Sequence, residues 1–263
     1  KARRGIVSDY SEKFYTRHAA RYAEVARQFL QSVYIKSSHP ALKNDWDLLE
    51  RLKELTPGQR GLDAGCGAGA RDVHALWSWG YDICGIDAIE ENIKVARKLH
   101  PEIADRVSVA DLRKPLSFPD ASFDFVICNA VIQHIAPDAV KSTTLPELAR
   151  VLKPGGVLQL MFKNGSGVLN IFDRDYNAER SFQLHDEHEI LSILREHSLE
   201  LIETESPDKL GGIMYFTDPK RAEHCVFFAR RVQNDNWVAK QSQAQALDWH
   251  KPLEYSPCDA VRA

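Results

Sequence analysis

From Asp9 onward, Tyr15, Ala19, Tyr22, Ala26 and Phe29 recur at three- and four-residue spacing, which places them on one face of an amphipathic helix. Asp9 with Glu12 three residues later reads as its capping pair. A second helical stretch is predicted over 44–55. At Thr56-Pro57-Gly58-Gln59-Arg60, a turn-rich break, the pattern changes. Short apolar runs now alternate with amphipathic segments, as in an α/β fold with a mostly parallel sheet. Strands are predicted near 61–64, 82–87, 107–110, 123–129, 157–162, 199–205 and 225–230. Helices are predicted near 70–79, 90–99, 138–152 and 187–197, the last capped by Asp186 with Glu189. The final two strands have no clear helix between them, which predicts an antiparallel hairpin at one sheet edge. The stretch 164–184 and the tail after Val232 fit no regular element.

Composition narrows the class. The 263 residues can bury one substantial core with a small accessory lobe. The 34 Lys/Arg against 37 Asp/Glu give a net charge of −3, which argues against a basic nucleic-acid scaffold. No apolar run approaches the roughly 18 residues a membrane span needs, and no secretory signal is expected at Lys1-Ala2-Arg3-Arg4. Cys66, Cys84, Cys128, Cys225 and Cys258 show no CxxC or zinc spacing, so reduced thiols in a cytoplasmic protein are expected. Residues 1–60 hold 12 Lys/Arg against 7 Asp/Glu, leaving the acidic excess to the remainder. The expected division is a helical lid over 1–56, a ligand-binding domain over 57–231 with a substrate loop at 164–185, and a tail over 232–263.

The strongest motif runs from Gly61 to Ala70: a strand enters Asp63-Ala64-Gly65-Cys66-Gly67-Ala68-Gly69 and then a helix. Glycines let backbone turn with positive φ and approach a ligand closely. The helix start offers unpaired N–H groups to an anionic group. Asp87 ends the next strand, 20 residues after Gly67, where a carboxylate can accept both hydroxyls of a ribose. Two nucleoside ligands suit this layout. A dinucleotide such as NAD fits the relaxed Gly65-x-Gly67-x-x-Ala70 pattern. S-adenosylmethionine fits better, because Asp63 would repel a pyrophosphate and attract an ammonium or a sulfonium. The competing reading is a purely structural turn.

The stretch 62–69 closely resembles the first motif of the class I S-adenosylmethionine-dependent methyltransferases, of the small-molecule type (type 11/25-like). Gly85-Ile86-Asp87 resembles the family's ribose-binding strand end, and Ala110-Asp111-Leu112 its adenine-reading segment. The run 123–129 resembles its fourth strand, and 145–156 the helix and turn before strand five. The resemblance covers 57–230. It implies a Rossmann-like, doubly wound seven-stranded sheet with an antiparallel last strand, helices on both faces and an N-terminal helical lid. It further implies donor contacts from Gly65, Cys66 and Gly67 at the methionine end, Asp63 beside it, Asp87 at the ribose, Asp111 and Leu112 at the adenine, and Asn129 at the crevice. Tyr15 and Tyr22, seven apart on the lid helix, would reach the donor or dock the lid as core aromatics.

His134 follows the fourth strand and is the candidate catalytic base, with loop support as its other reading. Lys163, Asn164, Asp173, Arg174, Asp175, Tyr176 and Arg180 lie in the substrate loop and could orient an acceptor. His185 and His188 with Asp186 have metal-like spacing, but a helix cap explains the carboxylate, so no metal is expected. The expected activity is methyl transfer to an oxygen or nitrogen of a small-molecule acceptor, by a monomer or homodimer away from membranes. The alternatives are a tRNA-modifying methyltransferase and a non-catalytic S-adenosylmethionine-binding regulator. The acidic core argues against a nucleic-acid partner.

Overall fold

The computed structural model describes residues 7–29 and 32–233. Trp237, Trp249 and Cys258 of the tail lie outside the described residues, as do the side chains of Asp9 and Phe29. Helix α1 (Val7–Phe29) already includes Asp9, so the expected capping position falls inside the helix. The helix bends at His18, whose φ of −115° and ψ of 15° are non-helical. Strand β1 (Lys36–Ser37) and helix α2 (Asp45–Leu55) follow. Asn44 caps α2 through a reciprocal pair with Asp47.

The central elements are β2 (Arg60–Ala64), α3 (Arg71–Ser78), β3 (Asp82–Asp87), α4 (Glu90–Leu99), β4 (Val107–Val109) and β5 (Phe123–Asn129). A short 3-10 turn, Ile132–His134, leads to α5 (Pro137–Ala139), which widens through a π-type turn into α6 (Leu145–Val151). Then come β6 (Leu152–Phe162), β7 (Val168–Asp173), β8 (Ala178–Gln183), α7 (Glu187–Glu196), β9 (Leu199–Leu201), β10 (Met214–Thr217) and β11 (Glu223–Arg231).

The main sheet runs β1-β10-β11-β6-β5-β2-β3-β4, with β9 also paired to β11. Neighbours from β6 through β4 are parallel, whereas β11 is antiparallel to β6, β9 and β10. The sheet therefore has nine strands rather than the seven expected. The additions are β1 and β10, and both extend the edge beside β11. The two strands expected to form an edge hairpin, β9 and β11, do pair antiparallel. However, β10 lies between them in sequence and makes the hairpin with β11, which is covered on that side by β10 and β1.

Alternation along each strand builds two core layers, one on each sheet face. On β5, Val126 and Cys128 join the layer under α6 and α7, while Phe125 and Ile127 join the layer under α2, α3 and α4. Strands β6 and β11 alternate likewise, with Leu158, Leu160, Phe227 and Ala229 on the first face and Val157, Met161, Val226 and Phe228 on the second. Helix α2 thus packs on the sheet, through the buried Leu48, Leu49 and Leu52. Helix α1 instead lies against the glycine turn, where Ala19 and Ala23 meet Ala68. Small side chains on both sides permit that close approach.

The stretch expected to be irregular, 164–184, forms a hairpin of β7 and β8. Its tip turns at Asn177 (φ 49°), with Tyr176 N–H donating to Asp173 O. The two strands form a separate sheet whose exposed Val168 and Phe172 break the usual buried-inward pattern, so burial-based reading passed over them.

Candidate active site

The strand order reverses between β2 and β5, and ligands of such sheets bind in the crevice beyond the carboxyl ends of the strands on either side of that point. A cleft of about 730 Å³ lies there. The glycine turn is fastened to the end of β3: Gly65 and Cys66 N–H donate to Ile86 O at 2.8 and 2.9 Å. Gly67 N–H donates to Asp87 Oδ2 at 3.0 Å. The other carboxylate oxygen accepts from Ile89 N–H at 2.8 Å and Asn92 Nδ2 at 3.1 Å. Asp87 therefore holds the turn in place and also lines the cleft. Burial raises its pKa, partly countered by these hydrogen bonds.

Two glycines are required by geometry. Gly65 has φ of +114°, and a Cβ there would meet Val131 Cγ2 at 2.2 Å. Gly67 has φ of +64°, and a Cβ would stand 3.2 Å from the Tyr22 ring. A side chain at Gly67 would enter the space between turn and lid, and one at Gly65 would strike the loop after β5. Asn129 ends β5, and its Oδ1 is buried without a hydrogen-bond partner at the cleft wall. An unpartnered buried acceptor there fits a ligand that brings its own donor. Asp63 is buried, and burial followed by the charge of Asp72 raises its pKa well above the usual carboxylate range. A cationic group beside it would reverse that direction.

At the far end of the cleft, Leu112 is buried and Asp111 accepts from Arg113 N–H and Nε at 2.9 and 2.8 Å. Burial alone would raise the Asp111 pKa, but the arginine contacts prevail and hold it below the usual range. Arg113 also pairs with Glu12 of α1 and so ties lid to floor.

Tyr15 and Tyr22 pack edge to face with ring centroids 4.9 Å apart, over the glycine turn. Tyr15 OH lies 3.1 Å from His134 Nε2, and Ser11 Oγ lies 2.9 Å from its Nδ1. Arg180 donates to Tyr15 OH at 2.7 Å. Burial, followed by the charges of Arg180 and Lys163, pushes the His134 pKa well below its ordinary value, so the ring is neutral. Both ring nitrogens of His134 are thus engaged by hydroxyls of α1.

A second cavity of about 1180 Å³ adjoins the first and shares Tyr15, Tyr22, Gly65, Gly67, Asn129 and Ala130 with it. Of the substrate-loop candidates, Lys163, Asp173, Tyr176 and Arg180 line this cavity. Arg174 is exposed, and Asn164 and Asp175 are not on its wall. Lys220, Asp218, His224 and Phe216 also line it, on β10, β11 and the turn joining them. Sequence reading missed them because only the reversed edge brings that turn to the crevice. Cys66 lies at the cavity wall, its thiol pKa raised well above normal by burial and by the charges of Asp63 and Asp87. His185 and His188 diverge. His185 Nε2 is buried 2.9 Å from Ile132 O, His188 is exposed, and Asp186 caps α7.

Residues 62–160 match a family model described as a methyltransferase domain. The 2-methyl-6-phytyl-1,4-hydroquinone methyltransferase of Synechocystis sp. is 34% identical over 143 residues, 54% of this chain and 42% of that protein. Over residues 62–160 the chain is thus similar to methyltransferase domains. Phosphoethanolamine N-methyltransferase 2 of Caenorhabditis elegans is 32% identical over 163 residues, 60% of this chain and 36% of that protein. The chain thus spans less than half the length of either relative. The 1,6-didemethyltoxoflavin-N1-methyltransferase of Burkholderia thailandensis, solved with 1,6-didemethyltoxoflavin and S-adenosylhomocysteine, shares the fold with a TM-score of 0.57. It is 18% identical, and the match covers 89% of this chain and 93% of that one. The residues of the cleft fit S-adenosylmethionine as a methyl donor: positive-φ glycines clear the way, the Asp87 carboxylate lines the wall, and among the described residues Asn129 Oδ1 is unpartnered.

Proposed function

We propose that this protein transfers a methyl group from S-adenosylmethionine to an oxygen or nitrogen of a small-molecule acceptor. The observation that carries this reading is the continuity of the two cavities at Tyr15, Tyr22, Gly65, Gly67, Asn129 and Ala130. One compartment is lined by Asp87, Asp111 and Leu112, groups suited to a nucleoside. The other, which Asp63 and Cys66 line, takes the donor's amino-acid end and extends past it toward the β7–β8 hairpin. Bound in this way, S-adenosylmethionine supplies an electrophilic methyl on a sulfonium, open to in-line displacement.

The chain's own contribution is alignment and exclusion of water. Asp87 holds the ribose hydroxyls, Asp111 and Leu112 border the adenine, and Asp63 with the turn at Gly65, Cys66 and Gly67 receives the cationic amino-acid end. Helix α1 acts as the lid over 7–29, and the β7–β8 hairpin covers the acceptor side. Tyr15 and Tyr22 close the space above the reacting atoms. His134 latches the lid. It serves as a general base only after the Tyr15 hydroxyl leaves Nε2 and frees a lone pair toward the acceptor. The free, mostly buried Cys66, Cys84, Cys128 and Cys225 support a reducing, cytoplasmic setting. Among the described residues no helix is long and apolar enough to cross a membrane.

Calorimetric titration with S-adenosylmethionine, S-adenosylhomocysteine and NAD tests the reading. Binding of the first two without NAD is the expected result. Tight NAD binding with no response to either methyl-donor form would overturn it.

A further inference from the structure

The second cavity ends in a group of charges that do not balance where they touch. Arg180 and Lys220 share the carboxylate of Asp173, each at 3.0 Å, and Lys220 also reaches Asp175 at 2.6 Å. Lys163 is different. Its side chain projects from just beyond the end of β6, is 4% exposed, and stands over the Phe182 ring at 4.8 Å. Among the described residues, its Nζ has one hydrogen-bond neighbour, His224 Nε2 at 3.2 Å.

That neighbour is already committed. His224 Nε2 also lies 3.1 Å from Asp218 Oδ2. One imidazole nitrogen cannot both donate to the carboxylate and accept from the ammonium. Burial pushes the His224 pKa down, so the ring is neutral. Burial raises the Asp218 pKa, but the hydrogen bonds from His224 and Ala222 N–H and the charge of Lys163 together hold it below the usual range, so that carboxylate is ionised. The proton on Nε2 then belongs to the Asp218 contact, and His224 Nδ1 is left buried with no partner. The Lys163 ammonium consequently has no good acceptor. A buried cation without a contacting countercharge is costly, and proteins keep such groups where a ligand completes them.

The walls beside it are flat and apolar. Phe216 stacks on His224 at 4.9 Å and on Tyr34 at 3.9 Å, each nearly parallel. Phe182 and Met161 add further apolar surface to the same cavity.

We propose that Lys163 is the recognition group for an anionic substituent, a carboxylate or phosphate, on the methyl acceptor, whose body packs along the Phe216 and Phe182 rings. This inference rests on the second cavity being the acceptor site. The acceptor's anionic group takes the hydrogen bonds that the Lys163 ammonium lacks, with Arg180 as the second cation across the cavity. The groups facing Lys163 are His224 on β11, Asp218 and Lys220 in the turn before it, Arg180 on β8 and Asp173 on β7. Burial pushes the amine down to about 8, with Asp218 opposing, so an anion that binds the protonated form loses affinity as pH rises through that value.

Calorimetric titration of the full chain loaded with S-adenosylhomocysteine tests this, using sodium benzoate in one arm and inorganic phosphate in the other at fixed ionic strength. Loading fills the donor cleft, so the donor's own carboxylate does not compete. Saturable binding in one arm is expected. It should weaken at least roughly tenfold in Lys163→Met, the loss expected for a charge-assisted hydrogen bond, and persist in Lys163→Arg. The exposed Lys94→Met serves as the control and should be unchanged. Preference for benzoate assigns a carboxylate, and preference for phosphate a phosphate. No binding in either arm, or equal binding in wild type and Lys163→Met, overturns the proposal. S-adenosylhomocysteine binding in each variant reports folding separately, and its loss in wild type would instead sink the donor-site reading.

Discussion

Tyr15 and His134, 119 positions apart in the chain, meet at 3.1 Å between the phenol oxygen and Nε2, and the same hydroxyl accepts from Arg180. One oxygen therefore joins the lid helix, the loop after β5 and the β7–β8 hairpin. Tyr15→Phe keeps the ring and removes that junction. Donor affinity should fall by about 1–2 kcal/mol, roughly tenfold or somewhat more. Amide exchange over α1 should quicken at the same time. Unchanged exchange together with unchanged affinity for S-adenosylhomocysteine would show that the junction does not hold the lid.

Asp87→Ala removes two carboxylate oxygens that accept from Gly67 N–H, Ile89 N–H and Asn92. Donor affinity should drop by about 1–3 kcal/mol through the lost ribose contacts and a loosened turn. Calorimetry on a folded variant measures it directly, and wild-type affinity would take Asp87 out of the site.

The two constrained glycines should fail in different ways. A Cβ at Gly65 would sit 2.2 Å from Val131 Cγ2, so Gly65→Ala must displace the loop after β5 and lower the melting temperature. At Gly67 the nearest obstacle is the Tyr22 ring at 3.2 Å, part of the movable lid. Gly67→Ala should cost about 1–2 kcal/mol of backbone strain and lose donor affinity more than stability. Equal thermal and binding losses in the two variants would contradict this distinction.

Stability should also fall as pH drops below about 6.5, the ordinary value for a histidine in the unfolded chain. His134 is held neutral by burial, so below that pH the unfolded state gains a proton that the native state refuses. The resulting loss is at most about 1.4 kcal/mol per pH unit for one such ring. Asp63 and Asp87, with raised values, act in the opposite sense: their native forms take protons first and gain stability as pH falls. The test is therefore a difference. Urea unfolding of wild type and His134→Gln at pH 7.5, 6.5 and 5.5 should give a shallower acid decline in the variant. Parallel declines would mean that His134 titrates normally in the native state.

Much of the fold was legible from local pattern. The short apolar runs at Phe123–Asn129 and Asp82–Asp87, buried on both faces of the sheet, and the helical run Glu90–Leu99, buried on one side, were placed to the residue. The glycine turn with Asp87 was legible too, since its chemistry lies within 20 or so residues of chain. The β7–β8 hairpin was not, because its exposed Val168 and Phe172 imitate a loop with scattered apolar residues.

By itself, the sequence determined the order of elements and the glycine-rich strand-turn-helix that makes residues 62–160 similar to a methyltransferase domain. Those properties reside in spacings of two, three and four residues and in backbone angles that only glycine adopts freely. Tertiary structure alone decided which polar groups meet: Tyr15 with His134, and Lys163 with His224 across 61 positions. It also decided that, among the described residues, no carboxylate contacts Lys163, whereas Asp173 contacts both Arg180 and Lys220. These outcomes follow from strand order and from the reversal of β11, which carry distant segments to one end of the sheet. No local periodicity encodes which residues such a crossing brings within hydrogen-bond distance.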